Sequence, residues 1–242
     1  MFEFDDNIPV RKLQVVSIGK TTEKLKEYLR NTTLSLLDSP HEETQWTDID
    51  VVFLVADASE EHDLEKFKEI VKISKQHNIM VFPLLISCKP VEINNSIIIV
   101  NPLCFPNEEK LYTYIVESIK SIETFNSKPG IVDIGIEDIQ ALLAPSSRLA
   151  FSFEEQNATT DKSVVAKMAI QKLYDMDIPA HSSKFIVLNI IGSEDNISMF
   201  EVQEICELVN EELGYNESCV LWGANIDNTL DEKIHISIWV KL

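Results

Sequence analysis

Three short stretches hold residue types that could do chemistry on a phosphate or on water. In "SIGKTTEKL", Gly19-Lys20-Thr21 looks like the end of a phosphate loop, placed between an apolar run and a helical one. A full loop needs another glycine five residues before Gly19, so that main-chain amides can wrap the phosphates. That position is Gln14, so the motif is partial, and the reading preferred here is a capped strand-to-helix turn. The second stretch, "DASEEHD", carries Asp57, Glu60, Glu61 and Asp63 and no glycine. Carboxylates in a first helical turn are favoured by the helix dipole without any function. His62 among them lacks a second group of metal ligands and reads as a solvated residue. The third, "GIVDIGIEDIQ" (130–140), brings Asp133, Glu137 and Asp138. Such carboxylates can orient water or move protons, or simply cap a helix starting near Ile136. No Ser-His-Asp or Cys-His arrangement stands out.

The elements that must position these residues alternate in type. "KLQVVSIG" (12–19) reads as a buried strand and "TTEKLKEYLRNTTLSLL" (21–37) as a helix, with Leu25, Leu29 and Leu34 spaced for one face. "IDVVFLVAD" is a second buried strand. "SEEHDLEKFKEIVKISKQHN" is an amphipathic helix with Leu64, Phe67, Ile70 and Val71 on one side. Strands "IMVFPLLIS" and "SIIIVNP" and the long helix 108–125 follow. Continuous apolar strands alternating with helices argue for a parallel sheet covered on both faces. "NSKPG" (126–130) breaks the pattern and places a domain boundary at the end of the long helix, giving units 1–128 and 129–242. The second unit continues as a short helix, a strand "RLAFSFEE", a helix, a strand "KFIVLNIIG" and a helix with Ser198 and Glu201 in capping-box spacing. Gly214 is placed to end that helix as a C-cap glycine, and "SCVLWGANI" and "KIHISIWVKL" close as strands. From about Gly130 onward the content is enough for a core of its own.

Composition excludes several classes. A formal charge of −19, with 21 Lys and Arg against 40 Asp and Glu, repels nucleic acid and anionic lipid. The four cysteines, Cys88, Cys104, Cys206 and Cys219, form neither a C-x-x-C pair nor a disulfide framework. The start "MFEFDDNIPV" has no signal-peptide pattern, and "IMVFPLLIS" is far too short to span a bilayer. The expectation is a cytoplasmic protein.

The second half resembles the FtsZ family of cell-division proteins. In "GSEDNISMFEVQEICELVNEELGYNESCVLWGANIDNTLDEKIHISIWV", Phe200-Glu201-Val202, Gly223-Ala224, Ile226-Asp227 and Leu230-Asp231-Glu232 occupy the places of family motifs. "GIVDIGIEDIQALL" looks like the family's loop after its central helix. The resemblance covers roughly residues 108–242 and implies the tubulin-like fold: a Rossmann-like domain, a long central helix and an α/β C-terminal domain. The first half is similar only in outline. The family carries its glycine-rich tubulin signature where this chain has "ASEEHDLEKF", and a glycine-rich loop where Gly19 stands alone. The segment between the first strand and "VVFLVAD" is also much shorter, so the N-terminal domain is expected to be trimmed. Asp133, Gly135 and Asp138 match the family's catalytic-loop positions, with glycine replacing one carboxylate. The chain stops at the last expected strand, so the family's tail peptide and membrane anchorage are not expected.

The resemblance therefore implies a pseudo-GTPase: not an enzyme, with no catalytic, cofactor or metal residues. It would associate with itself or with an FtsZ-like filament, which it would bind or cap. The alternative is a polymerising GTP binder with a remodelled site around Gly19, Lys20 and Thr21.

Overall fold

A computed structural model describes residues 11–30, 32–38, 46, 48–91, 96–127, 130–132, 134–143 and 148–242. The first half runs β1 (Leu13–Ser17), α1 (Thr21–Leu29), β2 (Leu36–Asp38), β3 (Val51–Asp57), α2 (Glu61–Gln76), β4 (Met80–Ile86) and β5 (Ile97–Val100). The long helix α3 (Glu108–Ser127) leads to β6 (Gly130–Val132) and α4 (Ile136–Ile139). β7 (Arg148–Asn157), α5 (Lys162–Asp175), β8 (Ser183–Gly192), α6 (Met199–Leu213), β9 (Gly214–Ile226) and β10 (Lys233–Lys241) complete the chain.

Among the described residues the strands form one sheet, in the order β2-β1-β3-β4-β5-β7-β10-β8-β9-β6. The first half is parallel throughout, as continuous apolar strands require when both faces are covered. The second half is mixed: β10 runs antiparallel to β7 and β8, while β8 and β9 are parallel. The sheet crosses from one half to the other through β5 and β7, where Ile97 faces Arg148 and Ile98 faces Leu149.

Strand alternation divides the core by face. Val16, Val52, Leu54, Ala56 and Leu85 pack under Phe67, Ile70 and Val71 of α2. Ile186, Leu188, Ile190, Ile234, Ile236 and Ile238 pack under α5 and α6. The opposite face is shared by both halves. Val15, Phe53, Phe82, Leu84, Leu149, Phe151, Val187 and Trp239 form one cluster with α1 and with Leu111, Ile115, Ile119, Ile122 and Phe125 of α3. Rings link the halves: Phe53 to Phe82 at 5.4 Å, Phe82 to Trp239 at 6.2 Å and Trp239 to Phe151 at 4.8 Å. No helix among the described residues is long and apolar enough to cross a membrane.

Three local expectations change. The first helix stops at Leu29, and residues 36–38 form a strand. The Thr32 amide and hydroxyl both donate to Leu29 O, and the Thr32 hydroxyl accepts the Leu34 amide, so a local turn replaces the next helical turn. Leu34 still reaches the core. Gly214 is not a left-handed cap: its φ is −68°, and β9 begins there directly. The Ser198–Glu201 capping box forms as expected.

The division at 128/129 leaves α3 as the cover for both halves. A fragment of residues 130–242 uncovers Leu149, Phe151, Val187 and Trp239. It should bind a hydrophobic dye and melt broadly by circular dichroism, whereas residues 106–242, which include α3, should melt more sharply with less dye bound. Identical melts and dye binding would mean that α3 is dispensable to the second half.

Candidate functional site

A cleft of about 830 Å³ opens at the carboxyl ends of β1, β3 and β4, against the first turns of α3. Ligands of open α/β sheets bind at this end, and the volume is that of a small-molecule site. Its floor includes Ile86, Phe105, Leu111 and Tyr112, and its rim Lys20, Lys24, Asp57, Ser59, Lys89 and Glu108. Tyr112 stacks on Tyr28 at 5.7 Å. Burial, and then the carboxylates of Glu108 and Asp57, push its hydroxyl up to about 12.

The structure brings the first two sequence stretches together at and beside this cleft, where the side chains of Lys20, Thr21 and Lys24 each have partners within the protein. Lys20 Nζ lies 3.0 Å from Asp57 Oδ2 and donates to Ser59 Oγ at 2.8 Å. The Asp57 hydrogen bond is the main cause raising the Lys20 pKa. Burial alone would raise Asp57, but the Ser59 amide, donating to its Oδ1 at 2.8 Å, and Lys20 outweigh it and hold the carboxyl below 3.8. Thr21 is fully buried; its hydroxyl lies 2.6 Å from Ser17 Oγ and donates to Ile18 O at 2.8 Å. Lys24 is paired with Glu108 at 2.6 Å. Gly19 is left-handed, with φ of +66°. Asp63 lies so close that a Cβ on Gly19 would sit 1.9 Å from its Oδ2.

Gln14 lies inside β1, as the sequence indicates. Its side-chain amide donates to Ser35 O at 2.6 Å and accepts from the Ser35 hydroxyl at 2.8 Å, tying the chain before β2 to β1. Of the acidic stretch, Glu60, Glu61 and His62 are exposed, whereas Asp63 is buried, contrary to a wholly solvated helix start. The contact of Asp63 with Gly19 is the feature that sequence reasoning missed. Its only signal was an isolated glycine between a strand and a helix. Among the described residues, no group of three His, Cys, Asp or Glu is arranged to hold a metal ion.

The third stretch is separate from this cleft. Asp133 lies outside the described residues, as does the Glu137 side chain. Asp138 accepts the Gly135 amide at 3.0 Å, and the Asp138 amide donates to Gly135 O. Asp138 thus caps α4 while remaining exposed. Gly223 of β9 packs behind this loop, where a Cβ would stand 3.0 Å from Phe125 and 3.2 Å from Ile134.

Residues 152–241 match the FtsZ family, C-terminal domain. The cell division protein FtsZ 1 of Thermococcus kodakarensis is 28% identical over 127 residues, which are 52% of this chain and 33% of that protein. The mitochondrial division protein fszA of Dictyostelium discoideum is 23% identical over 126 residues, or 52% of this chain and 24% of that protein. These matches thus span about a third or less of their relatives' length. The fold is shared more widely. An empty FtsZ dimer structure from M. jannaschii aligns with a TM-score of 0.76 at 12% identity, over 96% of this chain and 88% of that one. GDP-bound CetZ1 from Haloferax volcanii aligns at 0.68 and 12% identity, over 95% and 93% of the two chains.

The Lys20–Asp57 pair generates a pH prediction. Asp57 titrates below its usual 3.8 in the folded protein, so its contribution is present above that value and lost as pH falls through the folded pKa. Lys20→Met should destabilise the protein at neutral pH by about 1 kcal/mol or less, since Lys20 is largely exposed. Urea unfolding of the two proteins should show this difference shrinking in acid; a constant difference would dissociate Lys20 from Asp57.

Proposed function

We propose that this chain, a member of the FtsZ/tubulin-like family by sequence over residues 152–241 and by fold along its length, is a pseudo-GTPase. It works by association, in cell division or an allied cytoskeletal process, with itself or with an FtsZ-like filament. The observation that carries the reading is the internal pairing at the cleft rim, where Asp57 holds Lys20 and Glu108 holds Lys24.

The magnitudes favour exclusion of nucleotide. Micromolar binding requires about 8 kcal/mol. A carboxylate about 4 Å from a phosphate charge opposes it by roughly 4 kcal/mol at an effective dielectric constant of 20. With Asp57 paired to Lys20 and Glu108 to Lys24, these two rim cations are not free to supply that requirement. The alternative reading, a polymerising protein that binds GTP in a remodelled site, is favoured by the size of the cleft and by Lys20, Lys24 and Lys89 at its rim. Calorimetry on nucleotide-stripped protein separates the two: the proposal expects no binding at micromolar GTP, and saturable micromolar affinity would overturn it.

Filament capping is the finer form of the proposal. A head-to-tail filament grows because each subunit carries two different complementary faces. Here the cleft face is altered, while the α4 loop keeps its frame, Gly223 packed behind it and Asp138 exposed. A subunit with one competent face joins an end and does not extend it. Substoichiometric protein added to the host's FtsZ with GTP should shorten filaments under the microscope and slow phosphate release. Asp138→Arg should weaken both effects by putting the wrong charge in the contact, whereas Asp138→Asn, which can still accept the Gly135 amide, should weaken them less. Unchanged length and turnover with the wild-type protein would exclude capping.

A further inference from the structure

The seam between α3 and the mixed strands holds a titratable group that neither the cleft nor the α4 loop uses. His235, the third residue of β10, is only 6% exposed. Its ring stacks on Phe153 of β7 at 5.5 Å and 15°. With Glu117, Lys120, Ser121 and Thr124 of α3 it lines a recess of about 810 Å³. Among the described residues its ring nitrogens make no hydrogen bond, and the nearest charged atom, Glu155 Oε2, stands 4.0 Å from Nδ1.

The charged groups around the ring are already engaged. From β7, Glu155 takes the Lys233 ammonium of β10 at 2.6 Å. From α3, Glu117 takes Lys120 at 2.8 Å. From α5, Lys172, bound to Glu154, stands 5.0 Å from the centre of the Phe153 ring. β8 places Ile191 beside His235 in the ladder. Farther round the recess, Arg11 pairs with Asp50, Glu123 accepts the Thr33 hydroxyl and Asp227 accepts the Thr229 amide. An imidazolium here would lie on a ring that already carries one cation, with both nearby carboxylates shared with lysines. Burial is the largest influence on His235. Together with Lys120 and Lys172 it holds the pKa below the ordinary 6.5, against the pull of Glu117 and Glu155.

We propose that His235 is an acid-sensitive latch between α3 and the β7–β10 pair: neutral, it stays packed on Phe153 and keeps this end of the seam closed; protonated, it turns out to solvent through the recess, and α3 loosens from the two strands. The latch acts whether or not the cleft takes a nucleotide. Because the folded pKa lies below the unfolded one, the closed seam is at full strength above about 6.5 and weakens as pH falls toward the folded value. Once the ring is out, it titrates near 6.5 again. At pH 5.5 the open form therefore gains up to about tenfold over a closed form that stays neutral.

The test is hydrogen exchange, read by mass spectrometry on the full-length protein at pH 7.5 and 5.5 and corrected for the intrinsic pH dependence of exchange. Peptides from α3, β7 and β10 should exchange up to about tenfold faster at the lower pH. His235→Phe, which keeps an aromatic ring on Phe153 without a titrating group, should flatten that rise. Lys233→Met, which frees Glu155 to meet the imidazolium, should reduce it. Imidazole NMR of the wild type, assigned by the signal lost in His235→Gln, should show the ring titrating below 6.5. A ring that titrates at or above 6.5, or an acid rise that His235→Phe leaves unchanged, would overturn the latch. If His235→Phe does not fold, the NMR titration and Lys233→Met decide, and an unreduced rise in Lys233→Met counts against it.

Discussion

The structure depends on α3 lying across one face of a sheet that both halves share. The helix is apolar around much of its circumference because it is covered by α1 on one side and the sheet on another. A helix buried in this way needs its few polar groups satisfied inside. Ser121 meets that need at the seam: its hydroxyl lies 2.8 Å from Ser237 Oγ and accepts the Trp239 indole N–H at 3.2 Å. The same Trp239 packs between Phe82 of the first half, which it meets edge-on, and Phe151 of the second, against which it is tilted. One residue thus joins the helix, the parallel strands and the mixed strands, and any movement of one half is felt by the other through rigid rings.

That frame explains what holds the cleft open. The carboxyl ends of β1, β3 and β4 are fixed by the core beneath them, not by anything bound above. Loops over such a frame can change charge at little cost to the fold. Here they have become acidic, and the resulting ion pairs are local: Lys20 with Asp57 and Lys24 with Glu108. Exposed pairs of this kind contribute little to stability. Their consequence is that Lys20 and Lys24 at the rim are already neutralised.

What could be read from the sequence follows from how local each signal is. The runs Val51–Asp57 and Glu61–Gln76 were legible because a buried parallel strand and an amphipathic helix carry their periods in adjacent residues. The Ser198–Glu201 box was legible for the same reason. The three-residue β2 was not, because its strand state comes from pairing with β1 and from the Gln14 side chain bonding Ser35. The helical role of Asp63 was visible, but its burial was not, since Gly19 approaches it only in the folded chain. Asp138 had two readings, as a water-orienting group or a cap, and its contact with the Gly135 amide supplies the cap. The second half was the more legible because its family motifs mark packing positions. Gly223 must be small where Phe125 and Ile134 press on it, and Val202 is core.

The α4 loop and the cleft are therefore constrained for different reasons. At the α4 loop, a glycine, a helix cap and close packing against α3 impose steric requirements that hold whether or not anything binds there. At the cleft, glycine is needed only where a main chain must approach an anion closely. Only Gly19 satisfies that description, and the atom it accommodates belongs to Asp63.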